Sequence, residues 1–138
     1  MYLEEINAKI SQLEEKISKL KNKIRKKEDD YEDMRQAKDG LSRVEEAFQS
    51  KKQQHQNVFN NVQFQRNRCL QRLSASMTGH LTGNTTSVSS GISDVDSRMS
   101  KLFNEISDDE QKLDRYLNQL SNYRAQARTA VSKNAVEG

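Results

Sequence analysis

The chain has no proline and no tryptophan, a single cysteine, and only 6% aromatic residues among its 138. An interior proline costs a helix about 3 kcal/mol, so its complete absence leaves room for very long helices. A lone Cys69 forbids an intrachain disulfide, and disulfide-forming secretion is not indicated. Beside Leu70 and Leu73, Cys69 reads as a small buried apolar residue. No apolar run approaches the ~18 residues of a membrane span. The opening Met-Tyr-Leu-Glu-Glu lacks the basic and apolar regions of a cleavable signal peptide. These absences point to a soluble protein made in the cytoplasm, leaving it only by a route that needs no cleavable signal. The 33% hydrophobic content is low for a compact domain, yet its regular spacing argues against disorder.

What is present begins at once. Leu3, Ile6, Ile10, Leu13, Ile17, Leu20 and Ile24 alternate at spacings of three and four, the apolar seam of a coiled coil. Mostly charged and polar residues lie between them, so the stripe is narrow and suits another helix better than a broad core. The same register continues through Lys27, Tyr31, Met34, Lys38, Leu41, Glu45 and Phe48, weakened by its polar members. Asp39-Gly40 marks a bend, a break or a tolerated glycine. Beyond Leu41 the apolar spacing loosens through Val44, Val58, Phe59, Val62, Phe64, Leu73 and Met77, with helix carried across the polar stretch 49–57.

A second pattern is as regular as the first. Val88, Ile92, Val95, Met99, Leu102, Ile106, Asp109, Leu113, Tyr116, Leu120, Tyr123, Ala127 and Ala130 alternate by four and three without a slip. Asp109 is its one polar member and reads as a solvated defect. Between the two patterns, residues 73–93 carry no Asp, Glu, Lys or Arg but are rich in Ser and Thr. Composition therefore puts a turn at about 79–85, around Gly79 and Gly83, with Asn84, Thr85 or Thr86 as the cap of the next helix.

The expected fold is all-α: one domain, 1–138, an elongated antiparallel helical hairpin of helix one (about 3–78) and helix two (about 86–133). A fold about residue 82 sets Val88–Ala130 against residues 34–77 and brings Asp109 near Lys51, Lys52 and His55, where a charge pair could set the register, although a solvated defect is the simpler reading. At ~1.5 Å per residue the arms are about 110 and 70 Å long, so Leu3–Ile24 would project as an overhang, residues 1–30. That overhang is the expected partner interface. Three outcomes would cover it: a third helix formed by folding back at Gly40, self-association into a homodimeric rod, or docking on another protein's helices. Ile at one seam position with Leu at the other favours a parallel two-stranded coil.

Catalytic chemistry finds no footing. Gly79-His80-Leu81-Thr82-Gly83 lacks the lysine and the preceding strand of a phosphate loop. His55 and His80 have no cysteine or carboxylate cluster around them, so neither a metal nor another cofactor is expected. Adjacent Asp108, Asp109 and Glu110 fan out around a helix. Residues 51–80 are basic without an acid, through Lys51, Lys52, Arg66, Arg68 and Arg72, with Phe59 and Phe64 interleaved. A solvated face, or a complement to an acidic partner, explains this zone more simply than nucleic acid does.

A long helix, a small-residue turn and a second heptad helix resemble the WXG-like helical hairpins of type VII secretion. The opening Met-Tyr-Leu-Glu-Glu-Ile-Asn-Ala-Lys-Ile-Ser-Gln-Leu-Glu-Glu-Lys-Ile is similar to the YwqH-like small proteins encoded beside LXG-domain toxins. That resemblance implies a non-catalytic adaptor that binds the helical N-terminal LXG domain of a toxin, together with a second small helical protein. It implies export with the cargo, or cytoplasmic delivery of it, in a Gram-positive bacterium. The chain departs from the pattern in two places. Its turn region has Met77-Thr-Gly79 and Leu81-Thr-Gly83 in place of Trp-x-Gly, and no aromatic residue is followed four positions later by an acid.

Overall fold

A computed structural model describes residues 2–60 and 67–137, with side chains for 2–58, 60 and 67–133. It is an all-α hairpin of two packed helices. Helix α1 spans Leu3–Phe59, 57 residues, and α2 spans Arg68–Glu137, 70 residues. No strand occurs among the described residues. Helix α1 runs without interruption through Asp39-Gly40, where Arg35 reaches Asp39 one turn on.

The turn is not where composition put it. Helix one ends at Phe59 instead of about 78, helix two starts at Arg68 instead of about 86, and Gly79 and Gly83 lie inside α2. The physical reason is that the seam register continues backwards from Val88 through Thr85, Leu81, Thr78 and Ser74, with Leu70 one turn before Ser74, all half-buried. The Ser/Thr stretch also satisfies itself within the helix. Thr85 donates to the Leu81 carbonyl (2.8 Å), Thr86 to that of Thr82 (2.9 Å) and Ser87 to that of Gly83 (3.1 Å). The cap is Asn67, not Asn84, Thr85 or Thr86: its Oδ1 accepts from the N–H groups of Cys69 (2.9 Å) and Leu70 (3.2 Å). Cys69 therefore sits in an exposed first turn and is not the buried residue expected. Val62, Phe64 and Arg66 lie outside the described residues.

The hairpin divides into two compact units. The first joins Met1–Tyr31 to Lys101–Gly138. Here α1 buries Ile6, Leu13, Ile17, Leu20 and Ile24, and α2 buries Leu120. Leu13, Ile17 and Leu120 form its centre, flanked by Ile10, Leu113, Tyr116 and Tyr123. The overhang expected at residues 1–30 is thus absent: because α2 already starts at Arg68, the second arm is long enough to cover the first seam. The Ile/Leu seam that suited a parallel partner is satisfied by an antiparallel one from the same chain.

The second unit is Glu32–Ser100. Its seam positions Met34, Leu41, Phe48, Leu81, Val88, Ile92, Val95 and Met99 are half-buried, and His55 is its one buried residue among those described.

The new turn position has a direct consequence at the glycines. Gly79 and Gly83 have ordinary helical backbone, and an added Cβ would meet nothing within 4 Å. Gly79→Ala and Gly83→Ala should each stabilise the hairpin by about 0.5–1 kcal/mol, since alanine loses less backbone freedom in a helix. Thermal melting of each variant checks this; destabilisation would return the turn to 79–85.

Candidate functional site

The seam is the first place to look for a site, because it carries charge where a coiled coil prefers Leu and Ile. Lys27 and Asp109, one seam position on each helix, meet at 2.8 Å, with Glu105 3.7 Å from the same ammonium. Their side chains are 19% and 15% exposed, so the pair is shielded without being sealed. Asp109 is therefore no solvated defect, and its partner is not Lys51, Lys52 or His55. The hydrogen bond to Asp109 holds the Lys27 ammonium above its ordinary value, against partial burial that pulls the other way. Arg124 bridges to Glu14 at 3.0 Å on the flank of the same unit.

In the second unit the polar seam continues. Lys38 bridges to Asp96 at 2.7 Å, and Ser89 donates to Glu45 at 2.8 Å. His55 Nε2 lies 3.1 Å from the carbonyl oxygen of Ser74 and 3.0 Å from Thr78 Oγ1. A carbonyl only accepts, so Nε2 carries the proton and donates towards both oxygens. Lys52 lines a shallow open groove of about 420 Å³ with Thr82, Thr85, Ser89 and Asp94. Lysine, hydroxyl and carboxylate side chains line that groove.

The residues expected to form the partner interface are all placed in the seam: Ile6, Leu13, Ile17, Leu20 and Ile24 buried, Leu3 and Ile10 half-buried. The second seam lies as its spacing predicts, with Val88, Ile92, Val95, Met99, Leu102, Ile106, Leu113, Tyr116 and Tyr123 half-buried and Leu120 buried. Gly79 and Gly83 are exposed on α2. What sequence reasoning missed is the flank of the seam. Val44, Val58, Leu73 and Met77 are exposed in the second unit; Tyr2, Phe103, Leu117 and Val131 are exposed in the first. The signal was available, since each sits beside a seam position and not opposite it. On another flank Lys16 and Lys112 approach the Tyr116 ring, 6.0 and 5.8 Å from its centre.

Among the described residues no group of three or more His, Cys, Asp or Glu is placed to hold a metal ion, and no helix is long and apolar enough to cross a membrane. In the basic zone, Lys51, Arg68 and Arg72 are exposed and Lys52 is half-buried, while Phe64 and Arg66 lie outside the described residues. A scan against protein-family models and searches of curated proteins and of solved structures found no match to this chain.

The Lys27–Asp109 pair makes a double test. Asp109→Ala leaves the shielded ammonium only its longer contact to Glu105 and should destabilise by about 1–3 kcal/mol, whereas Lys27→Met with Asp109→Leu should recover that loss. Because Lys27 binds its proton more tightly when folded, its contribution is present at neutral pH. It is lost as pH climbs past the ordinary lysine value of about 10.5. Denaturant midpoints against pH should therefore fall more steeply above that value in the wild type than in the double variant.

Proposed function

We propose that this protein is a non-catalytic helical adaptor that packs its hairpin alongside the helices of another protein. The partner we favour is the helical N-terminal LXG domain of a toxin, with a second small helical protein completing the bundle and the assembly exported by type VII secretion. The observation that carries the reading is the second unit's imbalance. Its seam buries only a histidine among the described residues, while Val44, Val58, Leu73 and Met77 stand exposed beside it. An antiparallel pair of helices has two open flanks, and a third helix laid along one of them would cover these side chains. Leu3–Ile24 then contribute by holding the hairpin together, and a partner touches their edges instead of an uncovered stripe.

The identity of the partner rests on the resemblance of residues 1–17 to YwqH-like proteins, and the helix-packing chemistry rests on the exposed flank. Co-expression with an LXG-domain toxin from the same genome should give a complex that stays together through size-exclusion chromatography. Val58→Asp with Met77→Asp should abolish that complex while leaving the circular dichroism of the hairpin unchanged. Separate elution of the two wild-type proteins would refute the toxin partner. Retention of the complex by the double variant would refute this flank.

A further inference from the structure

Five residues of α2 form one line beside the seam at intervals of seven: Phe103, Glu110, Leu117, Arg124 and Val131. Heptad spacing keeps them on one flank as the helices wind about each other. All belong to the first unit. Phe103 is 63% exposed, Val131 54% and Leu117 39%, and Glu110 and Arg124 are exposed between them. Leu117 and Arg124 line a groove with Glu14, Ile17, Ser18 and Lys21, which places the line on the side where Arg124 reaches Glu14.

The order along this line is apolar, acid, apolar, base, apolar, with Leu117 at its middle. Read backwards, the order of apolar residues is unchanged and the charges exchange places. An antiparallel second copy centred on Leu117 therefore sets Phe103 against Val131, Glu110 against Arg124, and Leu117 against itself. A slip of about one turn preserves the charge pairing, since Asp114 follows Glu110 and Arg128 follows Arg124 by four residues. A parallel copy would instead set acid against acid and base against base. The line is about 42 Å long, enough for an extended helix-to-helix contact.

We infer that this flank is a two-fold interface between copies of the chain, pairing α2 antiparallel with α2 about Leu117. It is isologous: Leu117 meets its own copy on the axis, and every contact off the axis occurs twice. The occupant is a second copy because the line is complementary to its own reverse. Arg124 keeps Glu14 within its own chain and presents its remaining guanidinium donors to the partner's Glu110. The inference does not depend on the toxin reading, and it would make the adaptor bivalent.

Sedimentation equilibrium of the full chain tests it, with circular dichroism confirming that each variant stays helical. Wild type should be dimeric at roughly 100 μM. Leu117→Arg should raise the dissociation constant at least about tenfold. Glu110→Arg with Asp114→Arg makes the line wholly basic, and Arg124→Glu with Arg128→Glu makes it wholly acidic. Each double variant alone should be monomeric, and an equimolar mixture should form a one-to-one dimer. A monomeric wild type overturns the inference. So does a dimer unaffected by any of these variants, or a mixture that remains monomeric.

Discussion

The contact between Lys27 and Asp109 governs how the two helices align. Heptad seams are repetitive, and on apolar packing alone α2 could slide along α1 by seven residues with little change in buried area. The charges remove that freedom. A slide of one heptad sets Asp109 against Met34 or Leu20 and Lys27 against Tyr116 or Leu102, leaving both ions in apolar layers without a partner. Desolvating an unpaired polar group costs about 1–3 kcal/mol, more for an ion, so the observed alignment is the one that satisfies both. Lys38 with Asp96 and Ser89 with Glu45 agree with the same alignment. The position of the turn follows from it.

The units on either side of residues 31 and 100 hold their seams by different means. Met1–Tyr31 with Lys101–Gly138 uses Ile and Leu, and there apolar burial is the cohesive force. Glu32–Ser100 uses half-buried apolar side chains diluted by Lys38, Glu45, Lys52, Ser74, Thr78 and Thr85, with His55 donating across the seam. Small hydroxyl residues let two helices lie close but supply little apolar area. Cooperative opening should accordingly begin in the second unit, and that same shortage leaves Val44, Val58, Leu73 and Met77 for another helix to cover.

Both functional proposals concern flanks, and they concern different ones. One uses apolar side chains of the second unit, whose value to a partner lies in completing a thin core. The other uses a line in the first unit whose charges are ordered, so that specificity comes from the penalty on wrong pairings as much as from attraction in the right one. Neither requires a pocket, a bound group or a proton transfer.

Much of this was legible without coordinates. Periodicity is a local property, so the run from Leu3 to Ile24 and that from Val88 to Ala130 identified two helices and their inward faces. The missing prolines allowed for their length. Glycine, serine and threonine point to a fold-back at 79–85, yet each weakens a helix by only about 1 kcal/mol or less. A register shared by dozens of residues outweighs that. One clue was present: pairing the lone acid of the second seam, Asp109, with a seam lysine, Lys27, requires the chain to fold back well before residue 79, ahead of the helix that Asn67 caps. Local spacing thus determined what the helices are and which faces they bury. Only the tertiary structure decided which residues face each other, because alignment depends on pairings distant in sequence, Lys27 with Asp109 above all, and that alignment turned an expected overhang into a packed seam.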